Sequence, residues 1–261
     1  MVTKQFFTWM EKLQPPRQGL VPKSGDWEHP YRWVLPEGDK IQGEGRKSDV
    51  VEFTDEDWDE AFTWGENQSK SWEESLSWEQ REALSLYKRD SSYMNKSLRN
   101  TEEPLPPVIK LLRKQIDRAL RKSSFTEDVV VYRGVSSEAL FSSVVEGERE
   151  VKVESMDDLK GKITQDRAYT STTLLPRVAA GFMSFFGGSP VVLKITLKKG
   201  TPAAYVENIL EVPQDEAADI EAEVLLPRNT KIKILYEQQP PGPYSTFSAF
   251  KVQVLEATVG D

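Results

Sequence analysis

The sequence predicts an α+β fold, with helices gathered in the first half and strands in the second. Three observations predict it. Apolar residues recur at helical spacing from residue 53 to about 120. From residue 128 onward short β-rich runs take over, punctuated by Gly, Pro and charge. The two kinds of element do not alternate as a doubly wound parallel sheet requires. At 261 residues the chain can bury a real core. It divides into an irregular N-terminal extension, 1–52, and one folded domain, 53–261.

The extension is broken by Pro- and Gly-rich stretches such as "KLQPPRQGLVPKSGDWEHP" and "LPEGDKIQGEGRK". One short helix is expected at 3–13, and Trp9, Trp27 and Trp33 imply local packing. Thr54 is the expected cap of the first domain helix, whose first turn is acidic and whose Trp58, Ala61 and Phe62 recur at spacings of three and four. Ser77 and Gln80 form a capping box for "SWEQREALSLYKRD". A short helix holds "SSYMNKSLRN". After Pro106-Pro107 a helix carries Val108, Ile109, Leu112, Ile116 and Leu120 on one face. Strands are expected at 128–134, 168–173, 190–200, 201–206, 221–226, 230–237 and 250–258. "PRVAAGFMSFF" reads as a helix after Pro176, and "EQQPPGPYSTF" as a loop between the last two strands.

The formal charge of −8 argues against nucleic acid and anionic membranes as partners. With no cysteine there is no disulfide, thiolate nucleophile or Cys-metal site. One histidine, His29, makes a His-ligated metal site or a Ser-His-Asp triad a poor reading. "MVTKQFFTWMEKLQPPRQG" has neither the apolar core nor the cleavage site of a signal peptide. No apolar run has the length of a membrane span, so no membrane insertion is expected. Chemistry here must run on carboxylates, hydroxyls, Arg and Lys.

"DIEAEVLLPRNT" places Glu221 and Glu223 at the entrance of an apolar run. Residues two apart in a strand share a face, so the pair is expected to point one way. A bare E-x-E is most often a solvated strand end or an edge guard. Two close carboxylates can also hold a hydroxyl, take a proton, or stabilise a cation such as an oxocarbenium-like ribose. Arg133 ends "DVVVYRG" and is followed by Gly134, which lets the backbone turn. A guanidinium there makes an ordinary salt bridge or a forked phosphate contact. In "AYTSTT", Ser171 and Thr173 share a face, where their hydroxyls can hold a carboxylate in one rotamer; Thr172 lies between them. Phe182 fills core or stacks on a flat heterocycle. Tyr87 is a half-buried contact and Asn95 a local cap.

The order Arg133, then Ser171-Thr172-Thr173, then Glu221-x-Glu223-x-Leu-Leu-Pro resembles the Arg/Ser-Thr-Ser/Glu-x-Glu class of bacterial mono-ADP-ribosyltransferase toxins. That class includes the enzymatic components of actin-modifying binary toxins, the vegetative insecticidal toxins and the Rho-modifying exoenzymes. The Trp-Gly pair, the Tyr before a Ser-Tyr pair, and Asn-x-x-Leu-Arg extend the likeness over 53 to about 258. The resemblance implies two roughly perpendicular antiparallel β-sheets with an N-terminal helical region and a cleft between the sheets. It implies NAD as substrate, no metal, and transfer of ADP-ribose to a host protein. Arg133 would hold the phosphates, and Ser171 would orient Glu223. Glu223 would bind the ribose 2′-hydroxyl, and Glu221 would engage the acceptor. Gly134, Tyr87, Asn95, Thr172, Thr173 and Phe182 would complete the NAD site. A Glu at position 221 favours arginine as acceptor, with actin the leading target.

Three departures from the family pattern stand out. Phe185 occupies the place of a second arginine. Ala168 replaces a side chain that meets nicotinamide in some members. The expected substrate-recognition loop, 207–219, is long, acidic and without an aromatic. The reading is a secreted or injected toxin or effector acting in host cytosol, with a separate delivery component as a further partner. Alternatives are an NAD glycohydrolase on the same site, a binding module with a decayed site, and a phage- or particle-associated structural protein carrying a transferase domain.

Overall fold

A computed structural model describes residues 50–183, 189–209, 221–238 and 253–259. The expected helix at 3–13, His29, Phe185 and the loop before the last strand lie outside these residues. Among the described residues four helices precede the main run of strands: α1 (Trp58–Glu74), α2 (Trp78–Arg89), α3 (Ser91–Arg99) and α4 (Pro107–Leu120). A short α5 (Ser137–Phe141) and α6 (Pro176–Met183) punctuate the strands that follow. Among the described residues no helix is long and apolar enough to cross a membrane.

Local chemistry explains most of the helix ends. Both bonds of the Ser77–Gln80 capping box are made. Pro107 opens α4, where its missing N–H leaves no bond unmade, and Ile109, Leu112, Ile116, Ala119 and Leu120 form the buried stripe. Trp72 Nε1 donates to the Ala119 carbonyl at 2.9 Å and ties α1 to α4. Thr54 does not cap α1. Asp57 is the N-cap, and its Oδ2 accepts from both the Thr54 N–H and Oγ1 at 2.8 Å. Reaching back to Thr54, that carboxylate closes a turn ahead of the helix.

The strands are β1 (Val50–Val51), β2 (Asp128–Ser136), β3 (Val144–Glu146), β4 (Arg149–Glu150), β5 (Ile163–Gln165) and β6 (Thr170–Thr173), then β7 (Pro190–Leu197), β8 (Ala204–Tyr205), β9 (Glu223–Leu226), β10 (Lys231–Gln238) and β11 (Gln253–Val259). Their hydrogen-bonded order is β4-β3-β5-β10-β11-β7-β2-β6-β9-β8, with β1 beside β2. Val50 and Val51 therefore already pair with the sheet of the folded domain. Among the described residues the ladder is continuous, and two pairs, β1–β2 and β7–β11, are parallel. β2 and β6 meet in register at one position, Tyr132 and Thr173. That narrow seam joins the two sheet segments of the expected α+β architecture.

The seam positions the chemistry because β9 is buried on both faces. Val224 and Leu226 enter one core with Val129, Val131 and Ile195. Leu225 enters the other, with Tyr87, Leu112 and Ile116 from the helices and Tyr169 just ahead of β6. Glu223 alternates with Val224, so it shares the helical side with Leu225. A third small cluster seats Ala179 of α6 against Val130, Tyr132 and Val192.

Gly65 of the Trp-Gly pair lies where α1 meets the ring of Tyr205, and a Cβ there would stand 2.5 Å from that ring. Alanine is ordinarily favoured over glycine inside a helix by about 1 kcal/mol. Overpacking of this kind costs about 1–3 kcal/mol, so Gly65→Ala is expected to destabilise despite the helical gain. Urea unfolding checks this; an unchanged or raised midpoint contradicts the packing.

Candidate active site

Antiparallel pairing of β6 and β9 sets Thr173 opposite Glu223, Thr172 opposite Val224 and Ser171 opposite Leu225. The Ser171 hydroxyl is thus a diagonal neighbour of Glu223, and it donates to Glu223 Oε1 at 2.7 Å. Thr173 Oγ1 donates to the Glu221 carbonyl at 2.6 Å and accepts from the Leu175 N–H at 3.1 Å. Thr172 turns the other way; it is buried and donates to the Val224 carbonyl.

The two glutamates do not share an extended face. β9 starts at Glu223, and Ala222 has φ of 47°, in the left-handed region. Strand alternation therefore stops between them. Their main chains converge instead: the N–H groups of Glu221 and Glu223 both donate to Glu207 Oε2, at 3.3 and 3.0 Å. The Leu174 N–H donates to the Ala222 carbonyl, and the Val206 N–H to that of Glu223. These bonds hold an Ala conformation that costs about 1–2 kcal/mol.

Lys88, from the last turn of α2, completes the acidic half of the site. Its Nζ lies 3.2 Å from Glu223 Oε2 and 3.3 Å from Glu207 Oε2. The three side chains are 9%, 7% and 11% exposed for Lys88, Glu223 and Glu207. Burial opposes the charge on Lys88, yet Glu223, Glu207 and Glu221 together hold the ammonium above the usual lysine range.

The basic half is built on Asp166. Arg99 grips it in a fork, Nε to Oδ1 at 2.9 Å and Nη2 to Oδ2 at 2.6 Å, and Arg133 Nη2 approaches Oδ2 at 3.4 Å. Arg133 Nη1 also donates to the Ser171 carbonyl at 2.9 Å, linking the basic half to the strand that carries Glu223's partner. Burial pushes the Arg133 guanidinium below the ordinary arginine range, opposed by Asp166 and helped by Arg99. Burial alone would push the Asp166 carboxyl up, but Arg99 and Arg133 hold it below the usual carboxylate range.

Arg99, Arg133, Gly134, Asp166 and Arg167 line a cleft of about 530 Å³. That is within the usual size of a small-molecule site. Tyr87, Asn95, Thr172, Thr173 and Phe182 do not line it, and neither does Glu223; Arg133 is the link between cleft and pair. Tyr87 is buried, accepts from Asn95 Nδ2 at 3.0 Å and meets Tyr169 edge-on. Its hydroxyl is pushed far up, first by burial and then by Glu223, while Asn95, Arg133 and Arg99 oppose the rise. Asn95 is not a cap: it lies within α3, whose caps are Asp90 and Asn100, and its Oδ1 is buried with no hydrogen-bond partner. Phe182 is exposed on α6. Of the recognition loop, only 207–209 is described, and it begins with Glu207 in a 3-10 turn.

Sequence reasoning passed over Arg99, Asp166, Lys88 and Glu207. The Asn-x-x-Leu-Arg stretch contained a usable signal for Arg99. The other three have no pattern in the sequence to set them apart. Among the described residues no group of three or more His, Asp or Glu could hold a metal.

The chain belongs to the ADP-ribosyltransferase exoenzyme family, whose model matches residues 61–255. Mono-ADP-ribosyltransferase C3 of Clostridium botulinum C phage is 29% identical over 202 residues, covering 73% of this chain and 76% of its own. The epidermal cell differentiation inhibitor of Staphylococcus aureus is 29% identical over 206 residues, covering 72% and 77%. The crystal structure of C3stau2 from S. aureus with NAD superposes with a TM-score of 0.62 at 25% identity, covering 82% of this chain and 100% of that one. The α+β transferase architecture and NAD as substrate follow.

The depressed Asp166 carboxyl makes a pH-dependent prediction. Its stabilisation is present above the unfolded value of about 4 and is lost as pH falls through the lower folded value. Asp166→Asn should cost about 1–2 kcal/mol at pH 7, discounted because half of Arg99 is in water. The difference should shrink steadily below about pH 4. Urea unfolding at both pH values measures it; a cost that grows in acid contradicts the assignment.

Proposed function

We propose that this chain transfers ADP-ribose from NAD to an arginine of a host protein. The observation that carries the proposal is Glu223, buried at the end of β9, ionisable, and fixed by Ser171 on one oxygen. An ionised carboxylate has about four lone-pair sites, so sites remain to accept the 2′-hydroxyl of the nicotinamide ribose. As the bond from ribose C1′ to the nicotinamide nitrogen breaks, both electrons leave with nicotinamide. The positive charge left on the ribose falls beside Glu223. A preorganised anion stabilises such a charge by several kcal/mol, because it needs no reorganisation when the charge appears.

Arg133, backed by Arg99, supplies the phosphate contact. The two guanidiniums share one carboxylate, Asp166, so the cluster keeps a net positive charge for the pyrophosphate. Glu221 receives the acceptor. A guanidinium has a pKa above 12 and becomes a nucleophile only when a carboxylate takes its proton. Its nitrogen forms the new bond to C1′ and its proton passes to Glu221. The site of action in this reading is the host cytosol, reached by secretion or injection, alone or with a delivery component. Actin rests on the resemblance alone; none of the three relatives described above is named for it.

Labelled NAD added with the protein to host lysate is expected to mark a discrete protein band. Glu223→Ala should lower nicotinamide release by about 10²–10³-fold, the usual cost of losing a preorganised charge contact. Unchanged labelling by that variant removes the mechanism. Glu221→Gln should lose transfer while keeping NAD hydrolysis. Equal loss of both removes the division of labour, and nicotinamide release without any marked protein makes the enzyme an NAD glycohydrolase.

A further inference from the structure

We propose that Lys88 is a positioning residue for NAD cleavage: its ammonium, braced on Glu207, fixes the second oxygen of Glu223 while Ser171 fixes the first. The inference rests on the reading of Glu223 as the residue that meets the ribose cation.

Lys88 is not an ordinary surface partner. It and both its carboxylates are about nine-tenths buried, so neither water nor salt screens the contact as it would an exposed pair. Glu207 is fixed independently, because the same oxygen that meets Lys88 accepts the N–H groups of Glu221 and Glu223. One strut therefore runs from the last turn of α2, through Lys88 and Glu207, to the main chain of both glutamates. A second arm runs from Lys88 to the Glu223 side chain itself.

The electrostatics explain why a cation is needed there. Glu207 and Glu223 both aim a carboxylate oxygen at one point, and Nζ occupies that point. Without it, two buried carboxylates face each other and repel in a medium that screens poorly. Glu223 then relaxes by turning away or by taking a proton, and either change spoils it for the cleavage step. The ammonium's contact uses one direction on Oε2, and the Ser171 hydroxyl uses one on Oε1, which leaves lone pairs on each oxygen for substrate. A residue that acts through Glu223 in this way works on the chemical step more than on NAD binding.

The test is steady-state nicotinamide release from NAD by the full chain, with thermal melting to confirm folding. Lys88→Met is expected to lower kcat by about 10–100-fold, as removal of a supporting partner commonly does, with KM for NAD changed less than about 3-fold. Lys88→Arg, which keeps the charge, should recover most of the loss. Glu207→Gln added to Lys88→Met should recover part of it, because one of the two repelling charges is gone. Should Lys88→Met not fold, Lys88→Gln is read in the same way. A kcat equal to or above wild type in the uncharged variants overturns the proposal, as does a rise in KM with kcat unchanged, which would make Lys88 a substrate contact. If wild type cleaves NAD and the uncharged variants cleave it equally well, Lys88 alone loses its assignment. If wild type does not cleave NAD, the proposed function and this inference fall together.

Discussion

The site depends on the antiparallel register between β6 and β9. Four residue pairs, from Thr170–Leu226 to Thr173–Glu223, set Ser171 beside Glu223. Nothing in that pairing can slip, because a one-residue shift would carry Leu225 out of the helical core and Val224 and Leu226 out of the sheet core. Hydrophobic burial on both faces thus fixes the position of a polar contact at the strand's end. The Thr172 hydroxyl donates to the Val224 carbonyl and that of Thr173 to the Glu221 carbonyl, on either side of Glu223.

Around that register the charges separate into two clusters of opposite sign. Arg99 and Arg133 share Asp166, two positive groups against one negative. Glu207 and Glu223 share Lys88, two negative groups against one positive. Each cluster is mostly compensated, which makes burial tolerable, and each keeps one unit of charge in excess. NAD carries the complementary pattern when it reacts: anionic phosphates at one end and a cation developing at the nicotinamide ribose. Arg133 joins the clusters through the Ser171 carbonyl, and Tyr87 feels the charge of both. Glu221 adds its negative charge to those that act on Lys88.

Much of this was legible in the sequence because it rests on short-range rules. The Ser77–Gln80 box, Pro107 at a helix start and the apolar stripe of α4 need only local chemistry. Arg133, Ser171, Glu221 and Glu223 stood out by order and spacing. What stayed hidden depends on tertiary contact. β3, β4 and β5 are only two or three residues long, too short to carry a periodicity, and form by pairing with each other and with β10. Parallel pairing of β7 with β11 joins distant segments and has no local signature. Ala222 in a left-handed conformation breaks the alternation that an E-x-E invites, and nothing about an alanine announces it. Lys88 and Glu207 carry no signal in the sequence and come together only when the fold buries them.

The most direct measurement of the central claim is the structure of this chain with NAD bound. The account predicts a Glu223 carboxylate oxygen within hydrogen-bond distance of the nicotinamide ribose 2′-hydroxyl, with Ser171 Oγ still donating to that carboxylate and Arg133 on the pyrophosphate. A ribose bound elsewhere, with Glu223 still held between Ser171 and Lys88 and facing no part of the ligand, would contradict it.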